Sequence, residues 1–174
     1  MERKKIKVLH MLTTDRYSGA ENVVCQIAHM FKELDQYEVL YCSPDGPIRE
    51  ALADRDVTFV PMKAASLFEF RRAIGEVKPD IVHAHDMRAS FLASFICGKA
   101  SLISHIHNNS FASRKLTLKA LLYCCAVAKA NHIFWVSDSA YQSFYFRRLS
   151  DSKSSVLHNI IDPDRICEKA IQAE

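Results

Sequence analysis

Glycine is scarce, with four in 174 residues, and none falls in the G-x-G-x-x-G spacing that lets a backbone approach a dinucleotide pyrophosphate. A nicotinamide- or flavin-dependent oxidoreductase is therefore disfavoured. The six cysteines, Cys25, Cys42, Cys97, Cys124, Cys125 and Cys167, sit in apolar stretches with no C-x-x-C pair, which excludes a zinc ribbon and a disulfide framework. Buried thiols in a reducing cytoplasm are expected instead. No apolar run is long enough to cross a bilayer, because the longest, 120–130, is broken by Lys129 and a span needs about 20 residues. No signal peptide is read at the start, where a short apolar run carrying His10 follows the basic residues and lacks a small-residue cleavage site. Basic runs are missing too: the formal charge is +3 and Lys and Arg are dispersed, so no nucleic-acid partner is expected.

What is present suits one globular domain. Apolar residues make up 49% and charged residues 25%, and a chain of this size buries about 70% of its unfolded surface without staples. Short runs rich in Val, Ile and Phe alternate with stretches of helical periodicity, which predicts strand-helix units around a parallel sheet. Strands are expected at 6–12, 38–42, 58–61, 81–84, 102–107, 132–136 and 155–157, and helices at 20–34, 48–55, 67–77, 89–97, 115–130 and 139–148. A last helix is expected from Pro163. The fold class is α/β, a doubly wound Rossmann-like parallel sheet of about seven strands with helices on both faces. In such a sheet ligands bind beyond the carboxyl ends of the strands, where strand order reverses.

The loops at those ends carry the polar residues. The loop after the first strand has its one glycine where a helix starts, at Ser18-Gly19-Ala20-Glu21, where a phosphate and a helix cap compete as explanations. The fourth strand runs into His83-Ala84-His85-Asp86 and the fifth into His105-Ile106-His107-Asn108; residues two apart share a face, so each pair can point the same way. Two such pairs invite a metal reading, yet a catalytic zinc needs three ligands in one tight cluster and no spacing guarantees that. No metal is expected, and hydrogen bonding to a sugar or phosphate is preferred. His83 and His105, further from the strand tips, are read as held by backbone carbonyls.

Taken together and in order, Ser18-Gly19-Ala20-Glu21, Lys78-Pro79-Asp80-Ile81-Val82-His83-Ala84-His85, Ile103-Ser104-His105-Ile106-His107-Asn108, Trp135-Val136-Ser137-Asp138-Ser139 and Val156-Leu157-His158-Asn159-Ile160-Ile161-Asp162 resemble the N-terminal half of family-4 glycosyltransferases. These are retaining enzymes with two Rossmann-like domains, the GT-B architecture. The resemblance implies transfer of a sugar from a nucleotide-sugar donor, UDP- or GDP-linked, to an acceptor hydroxyl with retention, in polysaccharide or glycolipid synthesis. No cofactor is implied.

By the same resemblance, residues 1–174 are the acceptor-side domain, the donor-binding C-terminal domain with its E-x7-E motif lies outside this sequence, and the domain alone is inactive. Carried over residue by residue, it implies that His107 is the catalytic residue and that Ser18, Gly19 and Ala20 approach the donor phosphates and acceptor. Substrate contacts are further expected from His85, Asp86, Asn108, Ser137, Asp138, Asn159 and Asp162, although capping also accounts for Asp138 and Asp162. The chain departs from the family pattern at two places: Ser18 and Ile160 stand where glycines are usual. Related enzymes press the region of Arg114, Lys115 and Lys119 against anionic membranes to reach lipid-linked acceptors, which offers peripheral contact with the inner face of the membrane as one reading, while a solvated basic face is the reading that so few charges favour. The alternative is a non-catalytic module of a split glycosyltransferase that binds acceptor or recruits a partner. A flavodoxin-like or response-regulator-like domain ranks lower, because neither an acidic pocket nor a phosphate-rich flavin loop is evident.

Overall fold

A computed structural model describes residues 4–107 and 114–159. The strands that read as apolar runs form one all-parallel sheet, made of β1 (Ile6–Met11), β2 (Tyr37–Pro44), β3 (Thr58–Met62), β4 (Ile81–His85), β5 (Ser101–Ile106), β6 (His132–Trp135) and β7 (Ser154–Val156). Their order is β3-β2-β1-β4-β5-β6-β7. The chain winds outward from β1 to β3, then returns to the other side of β1 and winds the opposite way. Order thus reverses between β1 and β4, and the crevice at their carboxyl ends is the ligand position for this fold.

Between the strands run α1 (Gly19–Phe31), α2 (Ile48–Ala53), α3 (Leu67–Val77), α4 (Met87–Ser94), α5 (Leu118–Lys129) and α6 (Asp138–Ser143). Local chemistry starts them. Ser66, Thr117 and Ser137 each accept a backbone N–H from the first turn of α3, α5 and α6, which satisfies a donor that the helix itself leaves unpaired. Lys78 ends α3 in the left-handed region, φ 51°, just before Pro79. Two apolar clusters flank the sheet: α3, α4 and α5 pack on one face over Leu9, Met11, Val82, Ala84, Leu102 and Ile106, while Val24, Cys25, Ile48 and Leu52 join Leu12 and Tyr41 on the other.

Most differences from the expected boundaries follow from caps and packing. The helix expected over 115–130 starts only after Thr117, which caps it, and the helix expected over 89–97 starts at Met87 because Asp86 caps it. The helix expected over 139–148 stops at Ser143. There Phe144 turns extended and buries its ring against Tyr123 and Trp135, each 5.4 Å away between centroids, and a short 3-10 turn at Arg147–Leu149 follows. Burying a Phe ring is worth about 1.5–3 kcal/mol, more than a few further residues of exposed helix supply. The helix expected from Pro163 lies outside the described residues.

Candidate functional site

The loop between β1 and α1 is tied down on both sides of the switch point. Thr13 Oγ1 donates to Asp86 Oδ2 at 2.7 Å, joining the ends of β1 and β4. The Asp15 carbonyl accepts Ile48 N–H at 2.8 Å. That anchoring requires glycine at 46, because a Cβ there would stand 2.9 Å from Asp15 Cβ. Glu21, only 2% exposed, accepts Thr14 Oγ1 at 2.7 Å, Ser18 Oγ at 2.5 Å and Ser18 N–H at 3.1 Å, so a buried carboxylate organises the entire turn into α1.

Asp86 holds the strained position. Its φ of 119° and ψ of 167° lie in a region that is nearly reserved for glycine and costs about 1–3 kcal/mol. The carboxylate explains the persistence: Oδ1 caps Ala89 N–H and Oδ2 accepts Thr13, both at 2.7 Å, while Asp86 N–H donates to the His105 carbonyl at 3.0 Å. Burial raises its pKa, and the hydrogen bonds from Thr13 and Ala89 work against that rise.

Beneath this loop lies a ladder of histidines. His10 on β1 is the register partner of His83 on β4, and His85 is the partner of His105 on β5. Residues in step across parallel strands, and residues two apart along one strand, share a face. His10, His83, His85, His105 and His107 therefore collect on one side of the sheet, with ring centroids 4.3 Å apart for His83–His85 and 4.0 Å for His105–His107. His10 Nδ1 meets His85 Nε2 at 2.8 Å, and His85 Nδ1 meets His107 Nε2 at 2.8 Å. A neutral imidazole has one N–H and one lone pair. Three in series must therefore donate in a common direction, leaving an N–H at one end and a lone pair at the other.

Burial keeps these rings uncharged. It lowers the pKa of His10 and His105 to about 3 and of His107 to about 4, and it holds His83 and His85 well below the usual imidazole value. Coulombic repulsion from neighbouring rings adds to the effect at His10, His83, His85 and His105, while Glu21 opposes it at His107. His107 is the member that is only partly buried, at the mouth of the crevice just past β5.

The expected role of His83 and His105 is corrected here. Among the described residues no backbone carbonyl holds them: His83 Nε2 and both His105 nitrogens lack a hydrogen-bond partner, as do His10 Nε2 and His107 Nδ1. Two sets of three, His10 with His83 and His85, and His85 with His105 and His107, present ligand nitrogens within 4.8 Å of one another. The tight clustering that spacing could not guarantee is thus supplied by strand order.

Of the other expected residues, His85, Asp86 and His107 are brought together at the switch point. Ser18 and Gly19 are exposed at the start of α1 with Ala20 beside them, and Ser18 lies in the extended region, φ −148°, which needs no glycine. Ser137 caps α6 through Ala140 N–H, and Asp138 in its first turn is exposed. Asn159 is exposed beyond β7, and Asn108 and Asp162 lie outside the described residues. Arg114, Lys115 and Lys119 are exposed next to Leu116, Leu118, Leu121 and Leu122, which are also exposed. Sequence reasoning missed His10, Thr13 and Glu21 as parts of the site. A 3-2-1-4-5 strand order was the available signal, since it places β1 beside β4 and makes the parity of His10 readable.

The fold is shared with several solved structures. HepE of Anabaena in complex with UDP-glucose superposes with a TM-score of 0.76 at 15% identity, covering 91% of this chain and 45% of HepE. The lipopolysaccharide outer core galactosyltransferase WaaB, in its apo form, gives 0.70 at 15% identity over 90% of this chain and 46% of WaaB. A glycosyltransferase from Rickettsia africae gives 0.62 at 17% identity over 97% of this chain and 50% of its own. This chain thus spans about half the length of each. No curated protein sequence matches it significantly. The model of Glycosyltransferase Family 4 matches residues 17–165. With its Rossmann-like sheet of GT-B type, this chain belongs to Glycosyltransferase Family 4.

Proposed function

We propose that this domain is the acceptor side of a retaining glycosyltransferase that moves a sugar from a UDP- or GDP-linked donor to an acceptor hydroxyl in polysaccharide or glycolipid synthesis. The observation that carries the reading is the convergence of His107, Asp86, Thr13 and the N-terminus of α1 on the β1–β4 switch point of a family-4 domain. HepE, with UDP-glucose bound, shares this fold. A donor-binding second domain closes over the crevice, and this half alone is inactive.

Each group has a task that its environment supports. His107, neutral and oriented by His85, offers a hydrogen bond to the transferring sugar without adding charge beside the developing oxocarbenium ion. The start of α1 supplies free N–H groups and a partial positive charge to the departing diphosphate. Asp86, fixed by Thr13 and its cap, orients the acceptor hydroxyl with Asn108 and Asp138. Lys119, Lys115 and Arg114, set among the exposed leucines of the α5 region, suit contact with an anionic membrane that carries a lipid-linked acceptor. No helix among the described residues is long and apolar enough to cross a membrane.

The test uses the protein encoded by the complete reading frame, incubated with UDP- and GDP-sugars and a panel of lipid and saccharide acceptors. Nucleotide release coupled to transfer is expected, with the anomeric configuration retained by proton NMR and kcat reduced about 100-fold or more by His107→Ala. An unaffected His107→Ala enzyme removes the role given to that residue, and an inverted product removes retention. Binding to anionic liposomes that disappears in high salt is expected for the membrane contact; binding to neutral vesicles alone overturns it.

A further inference from the structure

We infer that His85, His105 and His107 form a binding site for a divalent cation of the zinc, cobalt or nickel class, reached from the crevice and open to it at one coordination position. The three residues present ligand nitrogens within 4.8 Å of one another. They stand on adjacent strands in fixed register, His85 opposite His105, with His107 two residues further along. The site is therefore assembled by the sheet before any ion arrives.

The polar accounting points to a ligand. His85 and His105 are each 1% exposed, and among the described residues both nitrogens of His105 have no partner. Leaving a buried polar atom unpaired is costly. An ion that accepts a lone pair from His105 offsets that cost at one of its two nitrogens, in a ring too buried for a sugar hydroxyl to reach. Three neutral imidazoles select transition ions over magnesium or calcium, which prefer oxygen.

The His85–His107 edge of the site needs little change. His85 Nδ1 and His107 Nε2 face each other at 2.8 Å across a shared proton. A tetrahedral ion with bonds of about 2.0–2.1 Å sets its nitrogens about 3.3 Å apart, so the pair opens by about half an ångström as the one shared proton moves to the outer nitrogen of the ring that donates it. His85 Nε2–H then donates to His10 Nδ1, already 2.8 Å away, which gives the ligand the orienting partner that metal-bound histidines ordinarily have. The second triad, His10 with His83 and His85, offers no such route, because all three rings are buried. His107 gives the first triad its entrance.

Occupancy ties His107 Nε2 to the ion in place of the hydrogen bond by which His85 orients the ring, so the ion would inhibit transfer; that consequence rests on the proposed function, whereas binding does not. The test is titration of the chelator-treated chain with Co2+, followed by its visible absorption, with circular dichroism to verify folding. One cobalt per chain with the intense bands of a four-coordinate site is expected. His105→Leu should weaken binding by at least about 100-fold, since losing even an outer partner costs 10–100-fold, and His83→Leu should leave it intact. Absence of stoichiometric binding, or binding that survives His105→Leu in a folded protein, overturns the proposal. Loss on His83→Leu with retention in His105→Leu would move the ion to the buried triad and overturn it equally. If cobalt binds as expected but leaves transfer by the complete enzyme untouched, the role of His107 in the proposed function fails while the metal site stands.

Discussion

The two faces of the sheet are built to different rules. Under α3, α4 and α5 the strands present Leu9, Met11, Val82, Ala84, Leu102 and Ile106, and the polar groups that occur there are paired. Ser104 Oγ lies 2.7 Å from Ser90 Oγ and 2.8 Å from Tyr123 Oη, a closed network inside the apolar layer. On the opposite face the same strands present His10, His83, His85, His105 and His107, with five ring nitrogens left unpaired among the described residues. One face is packed for stability. The other keeps a standing cost of buried imidazoles directly below the crevice, as expected where a site is built into a fold.

Acid should expose this contrast most strongly. An imidazole whose folded pKa lies below its unfolded value of about 6.5 binds fewer protons when folded, so stability rises with pH and is lost as pH falls through 6.5. With folded values near 3 for His10 and His105 and near 4 for His107, and with His83 and His85 also lowered, the loss continues down to about pH 3. Each ring loses about 1 kcal/mol between pH 6.5 and 5.5, so the five together approach the about 5–15 kcal/mol that holds an ordinary domain. Denaturant melts of the metal-free protein at pH 7.5 and 5.5 should differ by several kcal/mol, and a flat pH response would contradict the burial of the ladder.

A paired substitution sharpens the same comparison at smaller scale. Ser104→Ala strands the Tyr123 hydroxyl in the apolar layer and should cost about 1–3 kcal/mol. His83→Leu removes a nitrogen that had no partner and should fall within about 1 kcal/mol of the parent, on the stabilising side. Urea midpoints of the two variants test the ordering directly. An effect of comparable size is expected at the rim, where Gly46→Ala pushes against Asp15 and should cost about 1 kcal/mol, with the loop after β1 shifting more than the sheet melts. Amide chemical shifts over 13–18 would register it even if the midpoint barely moved.

Much of the fold was legible in the chain. The seven strands follow from short runs rich in Val, Ile and Phe that alternate with helical periodicity, and the helix starts after Ser66 and Ser137 follow because a cap needs only local backbone geometry. Helix ends were harder. The stop at Ser143 is decided by the pocket that Tyr123 and Trp135 make for Phe144, and those residues are distant in sequence.

The site was legible in part. His85, Asp86 and His107 stand out because they end strands, whereas His10 and Glu21 look like an interior strand residue and a helix residue.

What the sequence determined by itself is the set of elements, their polar tips and the family, since periodicity and ordered motifs are properties of the chain. Only the tertiary structure decided that five histidines share one face, that a positive-φ aspartate is locked by a threonine from another strand, and that three ring nitrogens meet within 4.8 Å. The reason is parity and register. Which side chains meet across a sheet depends on strand order and on a one-residue choice of pairing, and neither is written in any single strand.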